Sequence, residues 1–381
     1  MEEKKFVFGV PVTDYNFTGR EEESRRLLAD FNGGINVILM SPRRIGKTSL
    51  VKHVIEKINR ENILVVYMDI FGCKTEYDIY NKFAGAVLEQ TASKSDKWLE
   101  EAKDFLYRLT PKISFSPDPT SEFGISLGIT PKTHTPEQIL ALPQQIAERK
   151  GKHILVCIDE FQQVGELSNS KQVQARMRGV WQLQQSVSYC LFGSKHHLMG
   201  SIFLNRSMPF FQFGDLINLQ KIPQDTWVKY IVEHFGEGKR TISESLAIKI
   251  CEFVDCYSSY VQQLSWIIYS QTPENSIITD KQVTEGCNDL LAVNDALFMQ
   301  QIEPLSEYQM NFIRAIASNV HSDFTLEKVR TEYHLGSYSN ITRLTSALLK
   351  LDIIEKRRDG IFLTDPVFEK WFRKKMIYTN M

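Results

Sequence analysis

A mobile ammonium and a hydroxyl stand side by side at Lys47-Thr48, near the end of the run Ser41-Pro42-Arg43-Arg44-Ile45-Gly46-Lys47-Thr48-Ser49. Those groups suit a polyphosphate and its cation. Lys47 can reach β- and γ-phosphate oxygens, and the Thr48 hydroxyl is placed to ligate Mg²⁺. The positioning elements are legible on either side. Ile35-Asn-Val-Ile-Leu-Met40 is an apolar run that reads as a strand, and Ser49 to Ile58 has the apolar spacing of an amphipathic helix. Strand, tight loop and helix N-terminus in that order make a phosphate cradle. Backbone N–H groups of the loop wrap one phosphate, and the helix end adds partial positive charge. Of the two loop arginines, Arg43 and Arg44, one can steer phosphate while the other faces solvent. The loop pattern G-x-x-x-x-G-K-[ST] starts here with Ser41 where glycine is usual, a residue small enough for the loop still to close.

About a hundred residues on, His153-Ile-Leu-Val-Cys-Ile158 is a continuous apolar run of the kind buried in a parallel sheet, and it ends in Asp159-Glu160. A carboxylate at that strand end is expected to face the loop after the neighbouring strand. Asp159 then serves Mg²⁺, through water because this ion keeps several of its own. Glu160 is placed to polarise an attacking water as a general base. A third apolar run, Ser188 to Gly193, ends at Ser194, which can hydrogen-bond the γ-phosphate or the lytic water, or be a plain loop residue. Loop and carboxylate pair together predict hydrolysis as well as binding. Arg206 is the best placed arginine to reach a γ-phosphate, in cis or across a subunit interface, with Arg176 and Arg178 as rivals.

With Phe17-Thr-Gly-Arg-Glu-Glu-Glu23, the loop, Ile158-Asp-Glu-Phe161, Phe192-Gly-Ser194 and the tail Leu363-Thr-Asp-Pro-Val-Phe-Glu-Lys-Trp-Phe372, the chain resembles the archaeal-type ATPases. These form part of the STAND branch of the AAA+ P-loop NTPases and also occur in bacteria. The resemblance runs from about Phe17 to Phe372. It implies an AAA+-like core, a small helical lid and a winged helix, with ATP as the nucleotide. It also carries Phe17, Gly19 and Arg20 to the neighbourhood of the adenine. The family's Gly-x-Pro lid turn is replaced here by Cys256-Tyr-Ser-Ser-Tyr-Val-Gln-Gln-Leu264.

The 381 residues have a formal net charge of −1, which excludes a globally basic nucleic-acid binder. No run approaches the ~18–20 apolar residues that span a bilayer. The N-terminus is too short and acidic for a secretory signal, so a cytoplasmic protein is expected. The six cysteines have no Cys-x-x-Cys spacing and read as reduced core residues.

Three regions follow in chain order: an α/β core over 1–223, a helical lid over 224–303 and a winged helix over 304–381. The core adds a strand at Ile63–Ile70, a helix at about Glu76 to Ala92, a β-hairpin insertion near 111–135, a helix capped by Thr135, and a last strand at Asp215–Leu219. The lid reads as helices at Thr226–Phe235, Ser243–Asp255, Tyr260–Ser270 and Asp280–Glu303, with no further strands. Helices at Ser306–Ala317, Thr325–Tyr333 and Ser337–Leu351 precede two strands joined by Arg358-Asp359-Gly360, a hairpin signal. The recognition-helix position carries only Arg343 and Lys350, and the wing carries Lys356, Arg357 and Arg358. Two readings remain open: an ATPase switch acting on a protein or nucleic-acid partner, or a nucleotide-dependent DNA-binding regulator or scaffold with slow hydrolysis. A homo-oligomer is compatible with either.

Overall fold

The computed structural model describes residues 5–12, 14–91, 116–117, 125–126 and 135–377. They group into two compact units, Arg20–Gln220 and Met1–Gly19 with Lys221–Met381.

The first unit is built on five parallel strands: β1 (Val37–Met40), β2 (Ile63–Asp69), β3 (His153–Asp159), β4 (Val187–Gly193) and β5 (Asp215–Asn218). Their order across the sheet is β2-β3-β4-β1-β5. The runs read as strands are strands because both of their faces are covered. Every residue of β1 and β4 is buried, as are six of the seven in β3. Trp181 stacks on Tyr189 at 4.1 Å between centroids and on Phe83 at 6.0 Å, in the core cluster covering the sheet.

One expectation is corrected by this order. The carboxylate-bearing strand does not neighbour β1, because β4 lies between β1 and β3. Apolar content identifies buried strands but holds no information on which pair. At the β2 edge, Gln90 imitates a missing neighbour strand. The Tyr67 N–H donates to Gln90 Oε1 at 2.8 Å, and Gln90 Nε2 donates to the Tyr67 carbonyl at 2.8 Å. That blunts an edge open to pairing.

The helix expected at about Glu76 to Ala92 is present over Glu76–Thr91, the last described residue of that stretch. Thr135 caps its helix in a reciprocal capping box with Gln138, but the helix breaks at Ala141 into Pro136–Leu140 and Leu142–Lys150. In the hairpin insertion, Ser116–Pro117 pairs antiparallel with Ile125–Ser126; the rest lies outside the described residues.

The second unit is mostly helical. Helices Gln224–Glu237, Glu244–Phe253, Ser258–Gln271, Asp280–Val293 and Asp295–Ile302 precede a winged helix of Glu307–Ala317, Glu327–Glu332, Tyr338–Lys350 and the antiparallel strands Ile354–Arg357 and Gly360–Leu363. Two lid expectations change. A short parallel pair joins Arg240–Thr241 to Ser276–Ile277, and the last long helix is interrupted at Asn294. The first nineteen residues group here because Phe6, buried, packs on Tyr230, His234, Phe235 and Tyr269. Gly238 allows this lid packing, since a Cβ there would overlap the Tyr269 ring.

The lid stretch Cys256–Leu264 also has structural work. The Tyr257 hydroxyl donates to the Thr364 carbonyl at 2.9 Å, and the Tyr260 hydroxyl donates to Asp365 Oδ2 at 2.6 Å. Asp365 Oδ1 meanwhile caps helix Pro366–Phe372 through the N–H groups of Val367 and Phe368. The resemblance-bearing tail thus ties lid to winged helix. All six cysteines carry free thiols, with Cys157 and Cys190 buried in β3 and β4. Among the described residues, no helix is long and apolar enough to cross a membrane.

Gly19 sits at φ +65°, and a Cβ there would lie 2.6 Å from Ile222 Cγ2 and 2.9 Å from Thr226 Cγ2. Left-handed backbone and overpacking each cost a non-glycine residue about 1–3 kcal/mol. Gly19→Ala is therefore expected to destabilise the chain by about 2–4 kcal/mol, read by denaturant unfolding. An unchanged midpoint contradicts this packing.

Candidate active site

The phosphate loop links β1 to helix Lys47–Glu56, whose N-cap is Gly46 at φ +95°. The left-handed positions of the loop are Gly46 and Arg44, the latter at φ +65°. Ser41 is not among the positive-φ residues, so this loop makes no conformational demand for glycine there. Its side chain is fully buried, and its Oγ donates to the Pro42 carbonyl at 2.9 Å. The serine departure is therefore structurally neutral for the backbone. Arg43 is exposed, Arg44 is half-buried and Ile45 is buried.

Lys47, almost fully buried, donates from Nζ to Ser41 O at 3.1 Å, Ser41 Oγ at 3.1 Å and Pro42 O at 3.0 Å. The ammonium is thus held over the mouth of the loop. Arg20 braces the loop from the other side. It is buried, donates from Nη2 to the Ile45 carbonyl at 3.1 Å, and pairs with Glu23 at 2.8 Å. Burial pulls its pKa down and the Glu23 carboxylate opposes that shift. Phe17 and Gly19, grouped with Arg20 by the resemblance, belong to the other unit.

At the end of β3, Asp159 reaches the first turn of the loop helix, and Glu160 follows it. Asp159 is only 5% exposed, and three donors meet its carboxylate. Thr48 Oγ1 donates to Asp159 Oδ2 at 2.9 Å, and the Tyr67 hydroxyl donates to the same oxygen at 2.9 Å. The Glu160 N–H donates to Oδ1 at 2.8 Å. Burial raises the Asp159 pKa, and the hydroxyls of Thr48 and Tyr67 counter this. Tyr67 itself is pushed well up by burial and by the neighbouring carboxylate, which keeps it a proton donor.

The Thr48–Asp159 pair fits the cation expected there. Mg²⁺ takes hard oxygen ligands, keeps several waters and needs only one or two protein groups beside phosphate. A hydroxyl and a carboxylate within 2.9 Å of each other supply such a set.

Glu160 lies at φ +55°, a left-handed position for a non-glycine residue. Strain of this kind persists where surrounding contacts over-determine the geometry. Two donors meet its Oε2: Ser194 Oγ at 3.1 Å and the side-chain amide of Gln162. Ser194 is thus at the end of β4, beside β3, and touches the carboxylate expected to act as base.

The arginines separate. Arg206 is exposed in the turn after helix His196–Phe203 and is not gathered with the other site residues. Arg176 is committed to Glu76 at 2.9 Å and Glu137 at 3.1 Å. Arg178 meets Gln182 and the Phe213 ring. Sequence reasoning missed Tyr67 and Gln162. Tyr67 was hidden inside an apolar run whose neighbour strand was unknown. Gln162 carried one available signal, its place two residues after Glu160.

Residues 17–208 match a family described as an ATPase domain predominantly from Archaea, and residues 296–374 match a probable winged helix domain. No curated protein matches the chain in sequence. A Walker-type ATPase of Pyrococcus abyssi superposes with a TM-score of 0.70 at 17% identity, over 97% of this chain and 100% of that one. The Aeropyrum pernix ORC2 protein, in its ADPNP-ADP complexes, gives a TM-score of 0.58 at 13% identity over 95% and 97%. The ORC1 protein of the same organism, in complex with DNA, gives 0.50 at 12% over 96% and 94%. These likenesses show the fold: a P-loop NTPase parallel sheet with flanking helices, followed by a winged helix. With half of its length matched by the family and the loop and carboxylates assembled as described, the chain belongs to the archaeal-type ATPase domain family.

Proposed function

We propose that this protein binds ATP with Mg²⁺ and hydrolyses it to ADP and phosphate, and that the cycle acts as a conformational switch on a macromolecular partner. The observation that carries this reading is the hydrogen bond from Thr48 to Asp159, with Glu160 held beside it. It brings the end of β3 to the phosphate loop although β4 intervenes.

In this reading the N–H groups of the loop and the first turn, through Thr48 and Ser49, bind the β-phosphate, and Lys47 turns from the loop carbonyls onto the β/γ oxygens. Thr48 and Asp159 would hold Mg²⁺, which when bound would supply charge neutralisation on the phosphates. Tyr67 orients the Asp159 carboxylate. Glu160 accepts a proton from water as that water attacks, and Ser194 holds the base or touches the γ-phosphate. The exposure of Arg206 suits contact with a neighbouring copy, and so a trans role in a homo-oligomer. The STAND assignment and the contact of Phe17 and Gly19 with adenine belong to this reading too.

A DNA-directed second reading draws on the winged helix. Its basic groups are partly engaged, however. Arg357 pairs with Glu355 and lies over the Phe362 ring, and Arg343 donates to Asn340 Oδ1. Lys356 and Arg358 remain exposed on the wing, next to Asp359. Such a set supports few phosphate contacts, and a protein partner for this domain fits better.

Three outcomes are expected. Lys47→Ala should weaken ATP binding by about 1.5–3 kcal/mol or more, the cost of a lost charge-assisted contact; titration with a fluorescent ATP analogue checks this, and wild-type affinity would refute the loop assignment. Glu160→Gln should bind ATP and Mg²⁺ normally but lose ~10²–10⁴ in turnover, followed by phosphate release. Normal turnover moves the base elsewhere. Anisotropy with a mixed-sequence duplex should show weak binding whose salt slope is shallow, about one unit per neutralised phosphate. Tight binding at physiological salt, lost in Arg343→Ala with Arg357→Ala, would favour the DNA-directed reading.

A further inference from the structure

Gln162 is fully buried, in the turn that follows β3, and its side chain is aimed at the site. Its Nε2 donates to Glu160 Oε2, the same oxygen that accepts from Ser194. Its Oε1 is buried with no hydrogen-bond partner among the described residues. An unsatisfied buried amide oxygen destabilises a fold, so packing alone does not explain this residue.

Gly193, the last residue of β4, completes the arrangement. A Cβ on Gly193 would overlap Gln162 Oε1 and lie 3.0 Å from Gln162 Cδ. The backbone of Gly193 is not left-handed, so conformation does not demand glycine there. The neighbouring Gln162 amide does. Backbone pairing holds the two segments in register, because the Phe161 N–H donates to the Phe192 carbonyl at 2.9 Å. Gly193 and Gln162 therefore form a fitted pair, one residue making room for the other.

We infer that Gln162, seated in the space left by Gly193, is a positioning residue that clamps the Glu160 carboxylate and thereby orients the base for the attacking water. The inference rests on the ATPase reading. With Oε2 held by Gln162 and Ser194, the carboxylate cannot swing about its last torsions, and Oε1 is the oxygen presented to water. Glu160 is one residue past the strand in a left-handed turn, where backbone alone leaves its side chain free to rotate. A clamp supplies what the strand end does not. Small misplacements of a catalytic group are costly in rate while ground-state binding is spared, and the partner of the Gln162 amide is the base, Glu160.

Substitution by methionine keeps the volume and removes the donor. In Gln162→Met, kcat for ATP is expected to fall at least about tenfold, with ATP affinity within about twofold of wild type and a melting temperature that does not fall. Removing the orphaned Oε1 makes the last result a discriminator, since a merely structural amide would lose stability instead. Gly193→Ala should reproduce the loss of kcat by displacing the amide. In Gln162→Ala with Gly193→Ala, the new methyl enters the vacated space, so the double variant should turn over no more slowly than Gln162→Ala alone. Wild-type kcat in Gln162→Met, a fall in melting temperature that tracks the lost activity, or losses that multiply in the double variant would overturn the inference. A wild-type chain that binds ATP without turnover would overturn the ATPase reading itself, and this inference with it.

Discussion

A carboxylate taken out of water is the constraint on which the site is built. Asp159 ends a strand buried on both faces, and an ionised group there is costly unless its oxygens are satisfied. Its donors come from three places: the Thr48 hydroxyl on the phosphate-loop helix, the Tyr67 hydroxyl on β2, and the next backbone N–H. Satisfying Asp159 therefore fixes the loop helix and two strands relative to one another. The raised pKa records what remains of the desolvation cost. Native-state stabilisation from this group is greatest in acid and is lost as pH rises through its folded pKa, when the buried carboxylate ionises. Ionising this group gives up stability and leaves a charge where a cation is expected.

Backbone conformation supplies the second layer. Arg44, Gly46 and Glu160 are all left-handed, two in the loop and one at the carboxylate pair. Only one of the three is glycine, so contacts must hold the others. Arg20 holds the loop through the Ile45 carbonyl, and Ser194 with Gln162 holds Glu160. Buried polar groups that would weaken an ordinary core recur around the site: Ser41, Lys47, Gln162 and Ser194. Their concentration at the loop and at the C-terminal ends of β3 and β4 fits the rule that parallel sheets place chemistry there.

The second unit follows a different logic, in which aromatic rings and tyrosine hydroxyls join helices. Phe6 and the rings of Tyr230, His234 and Phe235 seat the N-terminal segment, and Gln262 receives the Val7 N–H. Tyr257 and Tyr260 reach the winged helix, and the Trp371 indole donates to Asp295 Oδ1 at 2.7 Å. The tail motif is thus explained by caps and cross-links.

Much of the site was legible in the order of residue types. A loop with Gly46-Lys47-Thr48 between an apolar run and an amphipathic helix has few other uses, and Asp159-Glu160 after a second apolar run completes it. Those are local signals, carried by backbone conformation and side-chain period. The wing was legible for the same reason, through Arg358-Asp359-Gly360. What the chain could not show was adjacency. Nothing in β1 or β3 says that β4 will lie between them, because strand pairing depends on which faces the helices cover. Tyr67 was unreadable for that reason, being polar only at its tip and useful only because β2 lies beside β3. Ser41 is tolerable because the loop's left-handed turns fall at Arg44 and Gly46. Gly193 is required because Gln162, far away in sequence, lies against it. Local chemistry came from sequence; the partners of that chemistry were decided by packing across the sheet, where distance along the chain no longer counts.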